Sequence, residues 1–456
     1  MTPRLAPDHE FLAAVRAGQV EAAIWGCGHI GASALFHLAV AGVRCFGYDV
    51  APERIQAIQE GRFLSTEVVH PAPPSATPDT AVAPLRVSVS TDWREMQARP
   101  IGIHLICVPT DRGPEPSSAA LADVVEHAAE VIRDAGPQQI GGRTWPRLLL
   151  VESTIVPSWI REIVLPAIER AGLELNRDVA IGAAPRRDWF SGVEFSLRTL
   201  PRIMGASSPE AAAMMAAFYS LVCSTIHIAR DAEHAALTKV VENAIRYHDI
   251  SFANDLAVSL PDYDVAHVLD LAATKWNIQR YHPSLGIGGH CIPLAPRYLL
   301  AEAREPERLQ LVRETVEFNA SYFERLYASS LNRLLARAKR IAVLGMAYTP
   351  DARMEKLSPA YSVVSAMTQQ GRAVHVHDPY YSATEIKQLA GVDTFAFPED
   401  LATYDAVVLV TAHTPYLEAP VERYIRPGAV VVDNFGNWRN RTFAADVKYH
   451  EIGTPA

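Results

Sequence analysis

Short apolar runs alternate along the chain with longer stretches whose apolar residues recur at helical spacing. Residues Ala22 to Trp25 read as a buried strand, followed by the turn GCGHIG and an apolar helical run from Ile30 to Ala41. A second strand, Arg44 to Tyr48, ends at Asp49. Strands are expected again at Arg86 to Ser90, His104 to Val108 and Leu148 to Val151, with helical patterns between them such as Leu121 to Ala135. A long helical stretch from Glu233 to Leu260 separates this half from a second alternation. There, strand Arg340 to Leu344, helix Tyr361 to Gln370 and strand Ala373 to His377 precede the apolar segment Asp405 to Tyr416 and strand Ala429 to Asp433. Strands alternating with helices predict parallel sheets whose ligands sit at the carboxyl ends of the strands.

The first unit carries a chemical signature. Strand, glycine turn, helix, strand and acid follow one another within about 30 residues, the order a dinucleotide-binding βαβ unit requires. Gly26 permits the tight turn, Gly28 lets backbone N–H groups approach a pyrophosphate at a helix N-terminus, and Gly31 lets helix and strand pack closely. Ile30 opens the helix, and Asp49 is placed to accept hydrogen bonds from the adenosine ribose. An acid there repels a 2′-phosphate, so NAD is the expected cofactor; Arg54 nearby tempers that preference. The expected fold class is α/β, with two Rossmann-like doubly wound parallel-sheet domains joined by a long central helix. Boundaries are expected at 1–212 for NAD binding, 213–325 for a central dimerisation and cysteine segment, and 326–456 for a second nucleotide-binding domain.

Composition narrows the function classes. The 456 residues are 49% hydrophobic and 20% charged, an ordinary globular balance, and a formal net charge of -9 argues against a nucleic-acid partner. No run approaches a membrane span and no signal-peptide core precedes the first charges, so a cytoplasmic protein with no membrane partner is expected. The odd set Cys27, Cys45, Cys107, Cys223 and Cys291 lacks paired spacing, which suggests neither a disulfide framework nor a metal site. Residues 70–84 read as a proline-rich surface loop.

The segment Tyr281 to Leu300, YHPSLGIGGHCIPLAPRYLL, sets Cys291 behind Gly286, Gly288 and Gly289, which leave no side-chain bulk between backbone and ligand, and ahead of Pro293. Alone, Cys291 reads as readily as a buried structural thiol. With the rest of the chain, GIGGHCIP resembles the catalytic signature of the UDP-glucose/GDP-mannose dehydrogenase family, nucleotide-sugar 6-dehydrogenases. That resemblance runs from about Ala22 to Asn437. It implies that Cys291 takes a C6 aldehyde as a thiohemiacetal, which a second hydride transfer turns into a thioester that water releases as a uronic acid. Lys239 and Asn243, four apart on one helix face, are implied to hold substrate and stabilise an alkoxide or oxyanion. Thr110 after HLICV and Glu152 to Thr154 after LLLV resemble motifs lining the nicotinamide; taken alone, Thr154 reads equally as a helix N-cap. GMAYTPDARMEKLSP resembles the nucleotide-sugar domain's signature, which places Tyr348 and Gly288 at the substrate and Lys356 with the cofactor phosphates. Lys275 is aligned with a basic residue that reaches a neighbouring subunit's substrate, and a homodimer or higher homo-oligomer is implied.

Two positions depart from the family pattern. Arg186 stands where the substrate loop carries a glutamate that helps activate water, and Ala295 stands four residues after the cysteine where the family carries aspartate. Arg186 is therefore expected to contact substrate rather than to act as a base. The leading expectation is a UDP- or GDP-sugar oxidised at or near C6 by two electrons to a carbonyl, as with a secondary alcohol of a higher-carbon sugar in a polysaccharide or antibiotic pathway. The alternative is the four-electron oxidation to a uronic acid, with Asp188 as a substitute base. A catalytically silent sugar-nucleotide sensor is the third reading.

Overall fold

The computed structural model describes residues 9–63, 86–187 and 197–455. The proline-rich segment 70–84 and Asp188 lie outside them. The described chain forms two compact units: residues up to 242 together with 297–304, and residues 243–296 together with 305–455. The segment expected as a central domain, 213–325, is thus shared between the two.

In the first unit an eight-stranded sheet comprises β1 (Glu21–Trp25), β2 (Cys45–Tyr48), β3 (Val87–Ser90), β4 (Ile101–Ile106), β5 (Arg147–Val151), β6 (Val179–Ala183), β7 (Arg202–Ala206) and β8 (Ile226–Ile228). Its order is β8-β7-β6-β5-β4-β1-β2-β3, and β1 to β6 run parallel in the 3-2-1-4-5-6 arrangement of a dinucleotide-binding sheet. β7 pairs antiparallel with β6, so its first residue, Arg202, lies at the carboxyl end of the parallel strands. Helices α1 (His29–Val40), α2 (Ala119–Asp134) and α3 (Pro209–Tyr219) cover the faces. Leu35, Phe218 and Leu150 close one core, and Trp25, Val125 and Leu149 the other. β5 starts one residue earlier than the sequence suggests because Arg147 is buried in the strand. Its guanidinium donates to the carbonyls of Ile101 and Gly136.

The long helix α4 (Ala232–Ser259) begins in the first unit and ends in the second. The second unit continues with α5 (Val265–Ala272), α6 (Cys291–Glu302, whose residues from 297 belong to the first unit) and α7 (Gln310–Ala320). Its sheet contains β9 (Arg340–Leu344), β10 (Ala373–His377), β11 (Ala406–Leu409), β12 (Val430–Asp433) and β13 (Lys448–Glu451), in the order β10-β9-β11-β12-β13 and parallel throughout. This is the other common doubly wound order. Helix α8 (Pro359–Gln369) is capped by Ser358, whose hydroxyl accepts from Ala360 N.

The two units repeat one turn. Gly26 N donates to Tyr48 O at 2.8 Å, and Asp49 accepts from Cys27 N at 2.7 Å and Ala51 N at 2.9 Å. In the second unit Gly345 N donates to His377 O at 2.9 Å, and Asp378 accepts from Met346 N at 2.7 Å and Tyr380 N at 2.9 Å. The difference lies in what else meets the acid. Asp378 also faces the fully buried His413, whose Nε2 is 3.0 Å away and whose Nδ1 accepts from Asp351 N. Burial pushes the Asp378 carboxyl up, but the hydrogen bond from His413 and the two backbone donors outweigh it and hold the group below its ordinary value. Asp378 is therefore engaged by a buried side chain as well as by backbone donors, whereas Asp49 meets, besides its two backbone donors, the exposed Arg54 guanidinium at 3.3 Å.

Buried histidines give the fold an acid limit. On β4, His104 accepts from Trp25 Nε1 through Nδ1, and burial, with the charge of Arg147, pushes it down to about 3. On β13, burial pushes His450 down to about 4. The unfolded chain takes up these protons near pH 6.5 and the folded chain does not. Stability is therefore fully present above that pH and falls as pH drops toward 3 to 4, by about 1.4 kcal/mol per pH unit for each histidine. Below the folded values no further loss comes from these groups. Thermal melts between pH 7 and 4.5 should show this fall, and His104→Gln, whose amide oxygen can still accept from Trp25, should flatten it by about one proton. An unchanged slope would remove His104 from the account.

Candidate functional site

The glycine turn in the first unit is shaped for a ligand's phosphates. Gly26 adopts φ +91°, where a Cβ would also lie 2.6 Å from Cys107 O, and a Cβ on Gly31 would lie 1.8 Å from Gly26 O. The turn and helix α1 are thus in backbone contact, as only glycine allows. Gly28 occupies the N-cap position of α1 and no side chain caps the helix. A Cβ there would meet only the Arg54 guanidinium within 4 Å, so the helix N-terminus keeps its donors for an anion and has a cation beside it. Ile30, in the first turn, packs against the core. These features fit a dinucleotide: the N–H groups of the turn and Arg54 would hold its pyrophosphate, and Asp49 its ribose hydroxyls.

At the carboxyl ends of β4 and β5 the polar residues knit the unit together. Thr110 is buried; its hydroxyl donates to Thr154 O and stands 3.0 Å from the Tyr298 phenol, which in turn donates to Thr110 O at 2.6 Å. Glu302 accepts from Ser158 N at 2.7 Å, so two residues of the far half of α6 anchor it in the first unit. Glu152 is 3% exposed and lies at the centre of a charge cluster. Its carboxylate accepts from Arg202 Nη2 at 2.6 Å and from the Tyr219 phenol at 2.8 Å, with Arg186 Nη1 at 3.6 Å. Burial and then the Glu152 charge push Tyr219 and Cys107 well up, so both remain neutral donors. Arg186 turns inward too: Nη2 donates to Ser33 Oγ at 3.0 Å and Nη1 to Ile30 O at 3.4 Å, both on α1.

In the second unit Cys291 is exposed and is the first residue of α6, the end of a helix that favours negative charge. Asn243 Nδ2 lies 3.5 Å from Cys291 O, and Ala295 is 1% exposed one turn further on. The glycines before the cysteine serve packing. A Cβ on Gly288 would lie 2.4 Å from Tyr348 Cβ, one on Gly289 would lie 3.0 Å from the Tyr348 ring, and Gly289 N donates to Lys356 O at 3.0 Å. Residues that the sequence did not single out pin the same loop. Asn254 Oδ1 accepts from Ser284 N at 2.9 Å, Asn434 Oδ1 accepts from Leu285 N at 2.6 Å, and the Tyr322 phenol donates to Ser284 O. An asparagine inside the apolar run of α4 and another just past β12 were the available signals. Lys239 and Asn243 sit four residues apart on α4, Lys239 half-buried in the first unit and Asn243 buried in the second. Lys275 is exposed just after α5. Among the described residues no group of histidine, cysteine and acidic side chains could hold a metal ion, and no helix is long and apolar enough to cross a membrane.

One chain thus carries a dinucleotide-binding sheet in its first unit and a second doubly wound sheet of different acid chemistry in the other, the class of protein built from two Rossmann-type units. The chain belongs to the UDP-glucose/GDP-mannose dehydrogenase family. Its NAD binding domain matches residues 20–222, its central domain 233–321 and its UDP binding domain 342–440. UDP-N-acetyl-D-glucosamine 6-dehydrogenase of Pseudomonas aeruginosa is 25% identical over 397 residues, 84% of this chain and 88% of that protein. UDP-N-acetyl-D-mannosamine dehydrogenase of Pyrococcus horikoshii is 27% identical over 396 residues, 84% of this chain and 90% of that protein. Among solved structures, UDP-D-ManNAc dehydrogenase from Pyrococcus horikoshii superposes with a TM-score of 0.79 at 24% identity, covering 95% of this chain and 99% of that one. A UDP-glucose dehydrogenase from Pyrobaculum islandicum gives 0.77 at 21%, covering 99% and 100%. These two likenesses concern the fold. The protein is an NAD-dependent nucleotide-sugar dehydrogenase.

Proposed function

We propose that the protein oxidises a UDP-sugar at or near C6 by two electrons and releases a carbonyl product. The observation that carries this reading is Arg186. It stands where the family resemblance expects a water-activating glutamate, and its guanidinium is committed to Glu152, Ile30 and Ser33. An arginine takes up no proton in this range, and the buried methyl of Ala295 offers no second carboxylate. A secondary alcohol suits such a site, because its ketone has no further hydride to give. UDP is preferred to GDP on the match to a UDP binding domain.

In the proposed reaction NAD, when bound, accepts the carbinol hydride. The half-buried Lys239 and the Asn243 amide, one turn apart on α4, hold the oxygen as its proton passes to water and charge develops, and the turns carrying Thr110 and Thr154 line the nicotinamide, as the family resemblance implies. Tyr348, Gly288, Lys356 and Lys275 are assigned to nucleotide, phosphate and sugar contacts by the family resemblance. A homo-oligomer is proposed as well, supported by the half-exposed Ile245 and Phe252 on α4 and Val268 and Leu271 on α5. A cytoplasmic site of action completes the reading.

The four-electron reaction is the second reading, favoured by the exposed Cys291 at a helix N-terminus, which is poised for covalent chemistry. The Pseudomonas relative is named for a 6-dehydrogenase activity. Cys291→Ala separates the two. On the two-electron reading the variant keeps turnover within about tenfold and yields the same carbonyl product by mass. Conversion of an acid-forming enzyme into one that releases aldehyde would instead establish the thioester route.

A further inference from the structure

We infer that Arg186 is a positioning residue for the dinucleotide rather than a contact for the sugar. Buried charge runs across the carboxyl edge of the sheet: Glu152 follows β5, Arg202 opens β7, and Arg186 follows β6. Glu152 has two anchors of its own in Arg202 and Tyr219. Arg186 pairs its charge with Glu152, 3.6 Å from Nη1, and donates to helix α1 from Nη1 to Ile30 O and from Nη2 to Ser33 Oγ. These are residues of the first and second turns of the helix whose uncapped N-terminus faces the pyrophosphate position. The guanidinium fork thus ties the cofactor helix to the strand ends beside it. A planar guanidinium reaches both sides from two separate nitrogens in a fixed fork; an ammonium has three donors but they radiate from one atom. Fixing the helix before the ligand arrives lowers the cost of binding, so loss of the tie falls on the dinucleotide. The inference is independent of how many hydrides are transferred.

The test uses the full-length protein with NAD+ as one probe and UDP-N-acetylglucosamine and UDP as the others, titrated calorimetrically, with melting temperatures recorded for each variant. Arg186→Met should weaken NAD+ by about ten- to hundredfold, the usual range for losing a buried charged hydrogen bond, while both uridine probes stay within about twofold. Glu152 keeps Arg202 and Tyr219 in this variant, so no carboxylate is left alone. Arg186→Lys should recover part of the NAD+ affinity. Ser33→Ala removes one connection without touching a charge and should weaken NAD+ severalfold. Unchanged NAD+ affinity in Ser33→Ala and Arg186→Met, loss of the sugar nucleotide alone, or equal weakening of all probes with a lowered melting temperature would each overturn the inference. If Arg186→Met does not fold, Ser33→Ala and Arg186→Lys decide it by the same split.

Discussion

Replacing Lys239 with methionine lowers kcat by about 10²–10³-fold and leaves the dissociation constants of both ligands within about threefold. The side chain leaves α4 half-buried, four residues before Asn243, so a methylene stem of similar length can stay packed while the charge is removed. What disappears is the cation proposed to face an oxygen that is neutral in the bound alcohol and becomes negative only as its proton leaves on the way to hydride transfer. An interaction confined to the transition state appears in kcat, not in ground-state binding. Steady-state kinetics with titrations of NAD+ and the sugar nucleotide check this. An unchanged kcat with a weakened sugar complex would make Lys239 a binding residue only.

The second large effect is expected at Gly31. A methyl there meets the Gly26 carbonyl oxygen at 1.8 Å, and that oxygen is main chain and cannot rotate aside. Either α1 moves off β1 or the turn opens, and both outcomes displace the N–H groups that face the pyrophosphate. Gly31→Ala should weaken NAD+ by about hundredfold or more, since relieving such overpacking costs about 1–3 kcal/mol before any contact to the ligand is lost. UDP binding should persist, because the second sheet has its own turn at Gly345. Calorimetry with each ligand separates these effects. NAD+ affinity within threefold of the unsubstituted protein would show that close packing of helix and strand is not what shapes the site.

The glycine turn of the first unit was legible because its signal is local. Gly26, Gly28, Gly31 and Asp49 lie within one βαβ unit, and their spacing fixes the turn between β1 and α1. Strand β4 shows where local reading slips: the apolar pattern placed it at His104 to Val108, but pairing with β1 begins at Ile101, and Cys107 and Val108 already belong to the exit turn. The burial of Arg147 in β5 was hidden for a related reason, since its three carbonyl partners are scattered between residues 101 and 136. The Glu152 cluster was illegible because it joins side chains from residues 33, 152, 186, 202 and 219, which no window contains. Chemistry inferred from residue type also needed geometry to complete it. The glycines before Cys291 read as clearance for a ligand, yet Tyr348 and Pro359 fill the space beside Gly288. Thr110 read as part of a motif lining the nicotinamide, and the structure adds that its hydroxyl is engaged by Thr154 and Tyr298.

The most direct test is the number of NADH formed per sugar nucleotide consumed, with the product mass recorded, across UDP-sugars that include ones extended beyond C6. The account predicts one NADH and a product two mass units lighter than its substrate, because Arg186 and Ala295 put no carboxylate at the two positions where the family resemblance expects one. Two NADH and a carboxylic acid would contradict it and restore Cys291 to thioester chemistry.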